Sequence, residues 1–156
     1  MMHRCAAICS VRGSSLKAAS IALLLAAACA APARTALAQT WSEVARSAEG
    51  VTYVAPGSFQ RTADSLRFWA LTDHAAPRKQ VSTGRTYRST RMQREVRCNA
   101  RTMAISRSEL FEQPGATGMP VGEFVVPNSA FHFSPVAPGN DDDAVLEFVC
   151  ARAAAN

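Results

Sequence analysis

The residues best suited to chemistry in this chain are arginines. Between positions 78 and 107 there are nine basic residues, Arg78, Lys79, Arg85, Arg88, Arg91, Arg94, Arg97, Arg101 and Arg107, against one acid, Glu95. From position 108 to 147 there are seven acids and no base. Guanidinium groups make forked contacts to carboxylate, sulfate or phosphate. Arg85, Arg88, Arg91, Arg94, Arg97 and Arg101 are therefore the candidate anion- or partner-binding set. Arg91, Arg97 and Arg101 share the parity of one strand face. The competing reading is internal: the basic block pairs with the acidic block within the fold or across a dimer.

Other chemistry is sparse. Asp73-His74, His132 and scattered serines could be imagined as a hydrolase set, but no G-x-S-x-G elbow accompanies them. No catalytic residue is assigned. The Asp141-Asp142-Asp143 run lacks the alternate spacing of a calcium loop and suits the positive first turn of a helix. No zinc set can be assembled from the available cysteines and histidines, so no metal and no cofactor is expected.

Five cysteines and a formal charge of +5 in 156 residues change meaning once processing is considered. Arg4, Arg12 and Lys17 precede an uncharged apolar run over residues 18–31, and Ala36-Leu37-Ala38 follows. This order describes a signal peptide, residues 1–38, cleaved after Ala38. A degenerate lipobox ending at Cys29 is the alternative, and acylation there would attach the chain to a membrane. Cleavage after Ala38 leaves 118 residues, thirteen bases and twelve acids, for a net charge of +1. Net charge then gives no argument for polyanion binding, and an exported chain seldom meets nucleic acid as its main partner. Only Cys98 and Cys150 remain, and two cysteines in an exported chain most simply pair.

The elements that must position these residues are mostly strands. Val51 to Val54 and Ser65 to Leu71 are β-branched or aromatic runs bounded by turn residues. Residues 86–105 read as two strands or one long bent one. Met92, Val96, Cys98, Ala100 and Ala104 share one parity, and the charged residues share the other. Arg94 breaks the apolar parity and should lie near an edge or snorkel outward. Phe68 and Trp69 must face opposite sides, and only one can meet the core. Residues 75–84 read as the mobile loop, and Val121 to Val126 as a strand ended by Pro127. After Pro138-Gly139 the period becomes helical. Asn140 is the expected cap for the amide of Asp143, and Leu146, Cys150 and Ala153 share a face. The fold class is α+β: a small antiparallel sheet packed with a C-terminal helix and stapled by one disulfide.

The ordered set Trp41, Val51-Thr52-Tyr53-Val54, Leu66-Arg67-Phe68-Trp69, Val96-Arg97-Cys98-Asn99-Ala100-Arg101-Thr102, Val126-Pro127-Asn128-Ser129 and Phe148-Val149-Cys150 resembles the surface-adhesin protein E family of exported proteobacterial proteins. The resemblance spans residues 41–151. It implies the same sheet, helix and disulfide in a single domain over 39–156, sometimes dimerisation, and a binding role toward host extracellular-matrix proteins. The expectation is an exported, periplasmic or secreted non-enzymatic binding module, or an outer-membrane lipoprotein if Cys29 is acylated. Its expected partners are a host matrix protein, a sulfated glycan or another anionic envelope component. The alternatives are an envelope structural or assembly protein acting as a homodimer and, last, a small periplasmic hydrolase.

Overall fold

A computed structural model describes residues 39–154. The expected signal peptide and Cys29 lie outside the described residues. Strands β1 (Ser42–Ser47), β2 (Gly50–Arg61), β3 (Leu66–Lys79), β4 (Thr86–Arg97), β5 (Thr102–Gln113) and β6 (Thr117–Val125) form an antiparallel meander in that spatial order. A two-residue strand β7 (Ser134–Pro135) pairs with the start of β5. Helix α1 (Asp141–Ala154) follows. The stretch expected to be two strands or one bent strand is thus two strands. They are joined by a turn in which the Arg101 amide donates to the Cys98 carbonyl at 3.3 Å.

Residues 75–84 are not a loop in their first half. β3 runs on to Lys79, with Arg78 opposite Tyr87 and Lys79 opposite Thr86, and a bulge after Asp73 absorbs the irregularity around Pro77. Only the six residues from Gln80 to Arg85 turn the chain. Bulges admit a proline because they remove it from the ladder.

Gly50 opens β2 at φ +148°, opposite His74. A Cβ there would stand 2.1 Å from the Asp73 carbonyl oxygen, so only glycine fits.

Alternation sends Val54, Leu66, Phe68, Ala70 and Val96 to one face, where Val145, Leu146 and Val149 of α1 cover them. Phe68 is fully buried there, and Trp69 therefore lies on the opposite face. Asn140 caps α1 as its position implies, its Oδ1 accepting from the Asp143 amide at 2.8 Å. Asp143 reaches back to accept from the Gly139 amide at 2.7 Å. Cys98, the first turn residue after β4, is bonded to Cys150 of α1 across a Cα–Cα distance of 5.7 Å. The disulfide ties the C-terminal half of the helix to the β4–β5 turn.

Candidate functional site

The six candidate arginines are spread over the domain. Arg85, in the turn before β4, reaches Glu112 of β5 at 3.2 Å. It shares a shallow hollow of about 350 Å³ with the exposed Arg88. Arg91 and Arg97 follow the strand parity to the face away from α1. Arg91 pairs with Glu109 at 2.6 Å, and Arg97 pairs with Asp64 at 2.8 Å while stacking on Phe133 at 3.9 Å. Arg101 does not share their strand face. It sits in the turn at φ 50° and clamps Asp143 and Glu147 of α1. The hydrogen bond to Glu147 is the main reason its pKa is raised, with the nearby Asp143 charge adding to it.

Arg94 departs most from expectation. It lies on central strand β4, on the face that α1 packs against, and is only 7% exposed. Its Nη1 donates to Asp142 at 2.6 Å and lies 3.4 Å from the Met103 sulfur, while Nη2 lies 3.6 Å from the Met92 sulfur. Helix α1 brings the carboxylate that neutralises its head. A buried cation survives only with such a partner. Sequence parity alone could not see this, because the partner stands 48 residues away.

The basic block therefore meets the later acidic block inside the fold. Four of the six candidates, Arg85, Arg91, Arg94 and Arg101, pair with acids of that block. Arg107 pairs with Glu123 at 3.2 Å in the same way.

On the face away from α1, Tyr53, Leu71, Arg91 and Glu109 form one row across β2 to β5, and Trp69, Gln93 and Arg107 form the next. The Arg91 guanidinium lies 5.1 Å from the Trp69 ring and 5.4 Å from the Phe111 ring. Glu109 holds it there at 2.6 Å. The result is a half-buried aromatic–arginine stack beside the buried Leu71. Phe111 escaped the sequence reading, since only the cross-strand register brings it beside Arg91.

The imagined hydrolase set is not assembled. His74 Nε2 bonds Thr90 Oγ1 at 2.8 Å, while His132 Nδ1 lies 2.9 Å from the Ala130 carbonyl in an exposed loop. They line separate hollows on either side of Arg94, of about 370 Å³ and about 410 Å³. Asp73 accepts from the Gly115 amide at 2.7 Å instead of from a histidine. Among the described residues no three His, Cys, Asp or Glu side chains converge as metal ligands.

Among the described residues, fold and surfaces together define a class of protein: a small disulfide-stapled α+β domain with one helix on one face of a meander sheet. The family model for the surface-adhesin protein E matches residues 41–151, and the chain belongs to that family. Membership places it among surface-associated adhesin domains. Solved structures carry the same fold. The structure of Haemophilus influenzae protein E matches with a TM-score of 0.55 at 13% identity, over 74% of this chain and 87% of that one. Its crystal form II matches with a TM-score of 0.57 at 13% identity, over 74% and 91%. Protein E from a non-typeable Haemophilus influenzae gives 0.55 at 13% identity, over 78% and 82%. No curated protein sequence matches the chain.

Proposed function

We propose that this chain is an exported, non-enzymatic binding module that contacts a host extracellular-matrix protein through the sheet face away from α1. The observation that carries this reading is the Trp69–Arg91–Phe111 stack. Tryptophan, tyrosine and arginine dominate the energetics of protein interfaces, and rigid half-buried side chains lose little entropy on binding. Glu109 holds the arginine in place before any partner arrives. Anionic ligands, such as a sulfated glycan, fit best at Arg88: it is exposed, whereas an anion at Arg85, Arg91, Arg94, Arg97 or Arg101 must displace a carboxylate.

The test is binding of the chain from Gln39 onward to immobilised matrix proteins. Trp69→Ala and Arg91→Ala should each weaken retention about tenfold or more. Retention on heparin that falls with salt and with Arg88→Ala would support the anionic contact. Unchanged matrix binding in both variants would remove the sheet face from the reading. A doubled mass in solution that Trp69→Ala abolishes would favour the homodimeric structural role instead.

A further inference from the structure

Helix α1 covers only one end of its sheet face. Past its N-terminus the same face continues with Thr52, Thr72 and Thr90, aligned across β2, β3 and β4. Thr52 Oγ1 and Thr72 Oγ1 lie 3.2 Å apart, and Thr90 Oγ1 lies 2.8 Å from His74 Nε2. The Tyr87 ring stands edge-on to His74 at 5.4 Å between centroids. These side chains, with Met92 and Arg94, line the hollow of about 370 Å³.

Three properties restrict what the hollow can hold. The first is unused hydrogen-bonding capacity. His74 Nδ1 and Arg94 Nε are both buried and have no hydrogen-bond partner among the described residues. A buried polar atom left unpaired is unfavourable, so a ligand that pairs it removes that penalty.

The second is charge balance. Arg94 already pairs with Asp142 at 2.6 Å, and Arg78 pairs with Glu49 at 2.5 Å. Asp141 and Asp142 both border the hollow. An entering anion would displace a carboxylate or sit beside two of them, and an entering cation would face two guanidinium groups. Electrostatics therefore favour a neutral ligand.

The third is the type of polar group on offer. Threonine hydroxyls both donate and accept, and a neutral imidazole does one at each nitrogen. Burial, with Arg78 nearby, lowers the His74 pKa, which keeps the ring neutral. Tyr87, Met92 and Leu110 supply apolar wall. The complementary molecule is small and uncharged, with hydroxyls around its rim and an apolar face.

We propose that this hollow binds one neutral sugar residue, the side chains of His74 and Arg94 shifting at its wall so that the now buried Nδ1 and Nε each pair with a sugar hydroxyl. The site goes beyond the adhesin reading, because it lies on the opposite sheet face from Trp69 and Arg91. The same sugar chemistry is offered by the ends of host glycans and by bacterial wall glycan.

The experiment is an amide-shift titration of the chain from Gln39 onward. The probes are methyl galactoside, methyl mannoside and the N-acetylglucosaminyl–N-acetylmuramic disaccharide as its methyl ester, so that the lactyl carboxylate carries no charge. Saturable shifts at Thr52, Thr72, His74 and Thr90 are expected. The tighter binder among the probes identifies the source, the two glycosides standing for host glycan and the disaccharide for wall. His74→Phe should weaken binding about tenfold, the loss expected for one buried hydrogen bond. Thr72→Val, nearly the same shape without the hydroxyl, serves if His74→Phe does not fold, and Trp69→Ala should leave sugar binding intact. Absence of shifts for every probe, or shifts clustered at Trp69 and Arg91, would overturn the proposal. So would shifts at the hollow produced by sodium sulfate and not by sugars. Loss of matrix binding in Trp69→Ala with sugar binding retained shows that the two readings stand or fall separately.

Discussion

The sheet face under α1 has two unlike ends built from the same strands. At one end Val54, Leu66, Phe68, Ala70, Val96 and Met103 make the apolar core with the helix. At the other, Thr52, Thr72, Thr90 and His74 border an open hollow. Length explains the division. α1 has 14 residues and spans about 21 Å. β3 also has 14 residues but spans about 46 Å. A helix cannot cover a strand of equal residue count, so only part of the face can be apolar. Arg94 stands at the border, in register with Phe68 on β3 and Ile105 on β5. The comparison teaches that strand alternation decides which face a residue takes, while helix reach decides whether that face must be greasy.

The sharpest way to break this comparison is to truncate each end. Phe68→Ala removes a fully buried ring that also meets Phe59 edge-on, and should cost about 3–5 kcal/mol in urea unfolding. Thr72→Val, at the other end, should change stability by less than about 1 kcal/mol. Equal losses would mean that the hydroxyl end is a second core.

Removing the disulfide comes next. Cys98 and Cys150 are 52 residues apart, and their bond should contribute about 2–4 kcal/mol. Because it anchors α1, a Cys98→Ser/Cys150→Ser variant should lose hydrogen-exchange protection in the helix first. The central strands β3 and β4 should follow only on global unfolding. Simultaneous loss everywhere would show that helix and sheet open as one unit.

A smaller effect separates the partners of the border pair. Asp142→Asn leaves the Arg94 charge buried without its counter-charge and should cost about 1–3 kcal/mol. Arg94→Met removes charge and orphaned Nε together, beside two methionine sulfurs, and should be near neutral or stabilising. The reverse ranking would show that the pair itself is a net source of stability.

Much of the apolar end was legible in the sequence. Strand alternation, the Asn140 cap and the helical recurrence of Leu146, Cys150 and Ala153 are local signals, and each survives in the fold. The opposed placement of Phe68 and Trp69 followed from parity; which one met the core did not, because that depends on where α1 docks. Arg94 was misread for the same reason, since its partner Asp142 is supplied by the helix. The threonine row was invisible. Thr52, Thr72 and Thr90 are unremarkable singly and become a feature only in register. Residues 75–79 read as loop because Pro77 ordinarily ends a strand, whereas a bulge here carries β3 past it.

The smallest effect probes the polar end by titration. Burial, then the charge of Arg78, lowers the His74 pKa below the ordinary 6.5, against weaker opposition from Asp73 and Glu49. Tyr87 and Arg94 also border the ring's hollow, with Asp141 and Asp142 across it. The unfolded chain takes up a proton near 6.5 and the folded one resists it. The stabilisation is therefore complete above about pH 6.5 and is lost as pH falls from there through the lower folded value. Carboxylates titrate in the same direction, so the readout is a difference between variants. The drop in urea midpoint between about pH 7.5 and pH 5 should be smaller in His74→Gln than in the parent. Arg78→Ala should fall between them, because it removes the second cause and leaves the first. An unchanged drop in His74→Gln would place the ring in water, and with it remove the buried polar end from the comparison.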